Sequence, residues 1–249
     1  MTRRVTPCLD CRDGRVVKGV RFQSLRDSGD PVELSTAYEA QGADEIVLLD
    51  ISATPEGRSH HLDTVRAVRE RLAIPLTCGG GVRTAEDATA LLEAGADMVA
   101  VNTAAVMRPA LVTDIAKRFG SQCAVLAIDA ARAGAGWEVV IRSGAERTGR
   151  DAVAWARQGE RLGAGEVLLT SWDRDGTRLG YDLDLIRAVA AAVNVPVVAS
   201  GGASSAEHLA EALAAGADAV LAASIFHQGD TTVGAIKAAL AGHGFAVRP

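Results

Sequence analysis

The chain has 249 residues, 48% of them apolar, and a formal net charge of −5. This is ample material for one large core, and an acidic balance with no basic cluster beyond Arg3-Arg4 argues against a nucleic-acid partner. No apolar run approaches the ~20 residues of a membrane span and MTRRVTPCLD lacks the apolar stretch of a signal peptide, so a cytoplasmic enzyme is expected.

In chain order, strands are expected near 5–10, 45–50, 75–78, 97–102, 123–129, 166–171, 195–199 and 218–222. Each is short and almost continuously apolar, as parallel strands covered on both faces should be. Helical patterns such as VELSTAYEAQ, LDTVRAVRERL, AEDATALLEAG and AEHLAEALAAG lie between them. Several end in Gly-Ala, where glycine suits a left-handed cap, and Thr84 and Ser204 or Ser205 are candidate N-caps. Two segments exceed simple connections: 11–30 and 130–149. Each holds a β-prone run, Arg15–Phe22 and Trp137–Arg142, and reads as a lid.

An internal echo organises these elements. GADEIVLLD (42–50) matches GAGEVLLTS (163–171), PLTCGGG (75–81) matches PVVASGG (196–202), and EAGADMVAV (93–101) matches AAGADAVLA (214–222), each pair 121 residues apart. The chain therefore reads as one domain of two fused halves, approximately 1–121 and 122–249, each with four strand–helix units. Eight alternating units predict a (βα)8 TIM barrel with an internal twofold repeat. The rival, an open doubly wound sheet, would carry G-x-G-x-x-G after its first strand, and CLDCRDGRVV does not.

In such a barrel the chemistry gathers at the carboxyl ends of the strands. Those ends hold Asp10, Asp50, Gly79–Gly81, Asn102, Asp129, Thr170-Ser171, Ser200-Gly201-Gly202 and Ala223-Ser224. Asp10 and Asp129 end the first strand of each half and should face each other, where two carboxyls can divide acid and base work. The plainer reading is that each caps its own loop. The glycine turns, each followed by a strand ending in Asn102-Thr103 or Ala223-Ser224, form two candidate phosphate cradles, with ordinary turn glycine as the alternative. Cys8-x-x-Cys11 could be a redox pair or half a zinc site, but no second CxxC follows and an apolar thiol role is preferred. Asp173-Arg174-Asp175-Gly176-Thr177 imitates a phosphatase signature, but its place on the sixth strand of a repeated barrel does not support that chemistry. His60, His61, His208, His227 and His243 have no ligand spacing and are expected on the surface.

With these residues in place, the chain resembles the cyclase subunits of imidazole glycerol phosphate synthase. The resemblance covers essentially the whole length and is most specific at CLDCRDGRVVKG (8–19), LRDSGDPVELS (25–35), GSQCAVLAIDA (120–130), LLTSWDRDGTRLGYD (168–182) and ASGGA (199–203). It implies a substrate with a phosphate at each end, no cofactor and no metal. Ammonia would attack the formimino carbon of a phosphoribulosyl-formimino aminoimidazole carboxamide ribotide, with Asp10 and Asp129 as the catalytic pair. Lys18 matches a mobile-loop lysine. Gly81, Asn102 and Thr103 match one phosphate site; Asp175, Gly176, Gly202, Ala223 and Ser224 match the other; Thr170 and Ser200 match polar pocket residues.

The resemblance also implies a separate glutaminase subunit on the amino-terminal mouth of the barrel, with Asp97 as a contact, supplying ammonia through the barrel centre. Arg4, Glu45 and Glu166 match a ring of charges at that entrance, whereas Met98 stands where the family usually has lysine. One glutamate is therefore expected to be protonated or re-paired, with Met98 packing as a flexible apolar plug. Two alternatives stay open: the related isomerase one step earlier in histidine biosynthesis, and a non-catalytic barrel that binds sugar phosphates.

Overall fold

The computed structural model describes residues 2–20, 23–56 and 60–248. Its strands, in chain order, are β1 (Arg4–Arg12), β2 (Arg15–Val20), β3 (Gln23–Gly29), β4 (Ile46–Asp50), β5 (Leu76–Gly79), β6 (Met98–Val101), β7 (Ala124–Ala133), β8 (Gly136–Ile141), β9 (Glu146–Asp151), β10 (Glu166–Ser171), β11 (Val197–Ser200) and β12 (Ala219–Ala222). Eight of them run parallel in the order β1, β4, β5, β6, β7, β10, β11, β12, and the β12–β1 and β7–β10 pairings leave no open edge. This is the expected (βα)8 barrel, four strands from each half.

Period-two alternation in these strands builds two apolar layers. Outward residues such as Val5, Leu9, Ile46, Leu48, Leu126 and Ile128 pack under the helices in one large cluster. Inward residues, among them Cys8, Val47, Ala100, Val125, Leu168, Val198 and Leu221, form a separate cluster in the lumen. Both faces are thus covered, which explains why the strands read as unbroken apolar runs. The alternation also decides the cysteine question: Cys8 faces the lumen and Cys11 the helix layer, so the two thiols do not converge.

Eight outer helices cover the barrel: Pro31–Ala40, Leu62–Arg69, Ala85–Glu93, Ala110–Phe119, Ala152–Leu162, Leu183–Ala190, Ala206–Ala214 and Val233–Gly242. Thr84 caps the third with a reciprocal Asp87 bond, and Ser205, not Ser204, caps the seventh. The last helix is tied to the first half through Lys237 Nζ, which donates to Asp44 Oδ1 at 2.9 Å, both groups buried.

Two details depart from the expected alternation. Short extra helices stand at Ala53–Glu56, Thr103–Met107 and Ser224–His227, all on the carboxyl side of the barrel strands they follow. The presumed loops 11–30 and 130–149 are antiparallel ribbons, β2 with β3 and β8 with β9, each rising from the first strand of its half.

Candidate active site

The carboxyl ends of the barrel strands open into a cavity of about 880 Å³. It is lined by Asp10, Asp50, Gly81, Asn102, Thr103, Asp129, Thr170, Asp175, Gly176, Ser200, Gly202, Ala223 and Ser224. Every residue singled out for this mouth is therefore brought together except Ser171, which is buried outside the cavity lining, and Lys18. The Lys18 backbone lies on β2 opposite Arg26 of β3, and its side chain is outside the described residues.

β1 and β7 lie four strands apart in the eight-strand ring, so Asp10 and Asp129 stand on opposite walls. Asp10 is 3% exposed and accepts from the Cys8 thiol at 3.6 Å. Asp129 Oδ2 accepts from Asn102 Nδ2 at 2.9 Å. Burial above all, then the charges of Asp175 and Asp10, push the Asp129 carboxyl up to about 7, against hydrogen bonds from Asn102 and Thr170. Asp129 can therefore hold a proton near neutral pH. Asp50 plays a more local part: its Oδ1 caps the short helix Ala53–Glu56 by accepting from the Ala53 amide at 3.0 Å and the Ser52 hydroxyl at 3.2 Å.

The two glycine turns repeat each other in backbone and surroundings. Gly80 (φ 92°) and its repeat mate Gly201 (φ 94°) are left-handed, and a Cβ on either would collide with a carbonyl, that of Asp50 or of its own mate Ser171. Beside them, Asn102 (φ −122°, ψ −91°) and Ala223 (φ −126°, ψ −69°) share an uncommon conformation that starts the helices at Thr103 and Ser224. Amides at such a helix start have no partner within the helix and face the cavity with a favourable dipole for an anion.

Four arginines that line the cavity were not anticipated: Arg83, Arg108, Arg142 and Arg178. Arg108 is paired with Asp114 at 2.7 Å, Arg142 with Glu146 at 3.2 Å, and Arg178 with Asp230 and, at 3.0 Å, Gln228. Arg83 lies two residues beyond the GGG turn, and that position was a usable signal. Arg142 was not readable, because it reaches the mouth from the turn of the β8–β9 ribbon, where its amide donates to Thr103 Oγ1 at 3.1 Å.

The histidine expectation needs correction. His60 is buried, and burial holds its pKa down despite Asp50 nearby. His227 is half-buried and bridges Tyr38 Oη at 2.7 Å and the Cys8 carbonyl at 3.0 Å. Their helical or loop positions concealed this, since burial there depends on tertiary neighbours. The phosphatase-like Asp173 stands outside the main cavity and accepts from the Arg132 amide at 2.7 Å.

At the other end of the barrel, Arg4 pairs with Glu45 at 2.7 Å and with Glu166. Glu45 also accepts from the Thr77 hydroxyl at 2.6 Å. Burial, then the Glu166 charge, raises Glu45 to about 7, opposed by Arg4 and Thr77. Met98, paired in register with Thr77, packs against the lumen cluster. Asp97, at the start of β6, accepts from Arg69 Nη1 at 3.0 Å and from the Leu76 amide at 2.8 Å. Its repeat mate Asp218 likewise accepts from Arg3 at 2.6 Å and the Val197 amide at 3.1 Å.

Comparison with known proteins agrees with this arrangement. Residues 4–232 match the family model described as histidine biosynthesis protein. The chain is 58% identical over 252 residues to the imidazole glycerol phosphate synthase subunit HisF of Mycobacterium tuberculosis (strain ATCC 25177 / H37Ra), an alignment covering 98% of this chain and 94% of that protein. The same identity and coverage hold for the HisF subunit of Mycobacterium bovis (strain BCG / Pasteur 1173P2). The chain belongs to the histidine biosynthesis protein family, among the HisF subunits of imidazole glycerol phosphate synthase.

Proposed function

We propose that this chain is the ammonia-using cyclase of imidazole glycerol phosphate synthase and that Asp10 and Asp129 carry its chemistry. The observation behind this reading is their placement: two carboxyls on opposite walls of one cavity, flanked by matching glycine turns. A substrate with a phosphate at each end would span the mouth. One phosphate is held by Gly81, Asn102 and Thr103, the other by Asp175, Gly176, Gly202, Ala223 and Ser224, with Thr170 and Ser200 contacting the centre and Lys18 closing over it. Asp50 shapes the wall through its cap.

Ammonia adds to the formimino carbon, aminoimidazole carboxamide ribotide leaves, and ring closure with loss of water gives imidazole glycerol phosphate. Asp129, which keeps a proton to about pH 7, is the better donor to the departing nitrogen and oxygen. Asp10 then accepts protons from the attacking nitrogen. Relatives named as HisF subunits favour this reading over the isomerase of the same pathway.

The nitrogen source is a glutaminase subunit seated on the amino-terminal mouth, with the half-exposed Asp97 at its edge and Arg4, Glu45, Met98 and Glu166 forming the gate beneath it. The complex works in the cytoplasm. Among the described residues no helix is long and apolar enough to cross a membrane, which accords with that placement.

The test is to supply the isomerase product with ammonium salt and follow loss of its near-ultraviolet absorbance. The cyclase consumes it; conversion of the unrearranged precursor alone would select the isomerase. Asp10→Asn and Asp129→Asn should bind but not turn over, whereas a non-catalytic binding barrel would have no turnover to lose.

A further inference from the structure

Read upward from the amino-terminal mouth, the inward positions of β1 are Arg4, Thr6, Cys8 and Asp10. Each carries a charged or hydrogen-bonding atom. At the same depths six of the other seven barrel strands turn Val47, Ala100, Val125, Leu168, Val198 and Leu221 inward, all apolar, while β5 turns in Thr77, whose hydroxyl is already bonded to Glu45. Apart from Thr77, the described polar side chains between the gate and the cavity floor therefore stand on β1, in a line from the charged gate to a catalytic carboxyl.

Thr6 is the unexplained member of that line. Arg4 is paired with Glu45 and Glu166, and Cys8 donates to Asp10. Thr6 is 0% exposed, and its Oγ1 has no hydrogen-bond partner among the described residues. Valine would fill the same space without an unmet hydroxyl, so keeping threonine here costs stability unless something binds it. The position suits a transient occupant. The cavity floor includes Cys8, Ala100, Leu168 and Leu221, and Thr6 lies one inward step below Cys8, about 6.6 Å along the strand. The gate residue Arg4 lies the same step lower.

We propose that the Thr6 hydroxyl is a binding station for ammonia on its way from the gate to Asp10. This rests on the cyclase reading and on nitrogen delivery through the barrel. Ammonia is small and neutral, offers a lone pair to the Thr6 O–H, and can donate an N–H to the same oxygen. Ammonium would lose its hydration in the apolar lumen with no counter-charge at this depth, so the neutral form is carried. The station replaces part of the hydration that ammonia gives up between two polar ends.

The experiment compares wild type, Thr6→Val and Thr6→Ser in complex with the glutaminase subunit. It reads imidazole glycerol phosphate formed per glutamate formed, and, separately, turnover with added ammonium chloride and no glutamine, where ammonia enters from the open mouth. Thr6→Val should lower product per glutamate about fivefold, the worth of one net hydrogen bond. Thr6→Ser should match wild type, and ammonium-driven turnover should be equal in all three. Thr6→Val should also melt at or above the wild-type temperature, which separates transport from folding. Unchanged product per glutamate in Thr6→Val, or a loss in Thr6→Ser as large as in Thr6→Val, would overturn the station. Absence of ammonium-driven turnover in the wild type would instead bring down the cyclase reading, and the station with it.

Discussion

Asp129 differs from an ordinary surface carboxylate because burial and two neighbouring acids hold its proton to about pH 7 rather than near 3.8. Its folded form binds more protons than its unfolded form between those values, so its share of stability is intact below about pH 4 and is lost as pH rises through about 7. Asp129→Asn should therefore melt higher than wild type at about pH 8 and much closer to it at about pH 4, while activity falls by roughly 10²-fold or more. Thermal melts across that range check the first claim; a constant difference would contradict it. At the opposite mouth, Met98→Lys would put a cation beside the Thr77–Glu45 pair and lower the Glu45 pKa from about 7. Glutamine-driven turnover should then change more than ammonium-driven turnover, and equal changes would reject a gating role. The positions of these residues were legible in the sequence, since strand ends can be counted. Their protonation was not, because it depends on which acids the barrel closure brings face to face. The same holds for His227, whose partners Tyr38 and Cys8 come from the far end of the chain.

The eight barrel strands were readable because both their faces are apolar, and the repeat fixed how many to expect. The lid segments were only half readable. Arg15–Val20 and Gly136–Ile141 hold β-prone runs, but their partners QSLRDSG and ERTGRD have no apolar alternation, and none of the described side chains of either strand joins the core. Pairing is then set by the partner strand's backbone and left no mark on local composition. Trp137 Nε1 donates to Asp182 Oδ2 at 2.8 Å, Arg132 lies over the Trp137 ring at 4.4 Å, and the Arg142 amide reaches Thr103. This pins β8–β9 to the rest of the mouth. Trp137→Phe should remove about 1 kcal/mol of that attachment and speed amide exchange in 136–151 without changing it in the barrel strands. Unaltered exchange there would mean that the contacts to Thr103 suffice.

On the proposed function, a chain of net charge −5 must admit a substrate whose two phosphates carry about −3 to −4 at neutral pH. Long-range repulsion opposes that encounter, and the rim arginines counter it locally. Three of them, Arg83, Arg108 and Arg142, belong to the side of the first glycine turn, and Arg178 to the second. We expect kcat/KM to fall with added salt while kcat holds, and the triple change Arg83→Gln, Arg108→Gln, Arg142→Gln to flatten that dependence more than Arg178→Gln. Stopped-flow or steady-state rates over a salt series decide it; a slope untouched by the triple change would remove steering from the account. The carboxylate tethers on this rim have a further effect. Asp114, Glu146 and Asp230 fix long side chains that would otherwise sample many rotamers in water. Part of the ordering entropy is thus spent during folding rather than at capture, and a phosphate arriving at the lip meets cations already aimed.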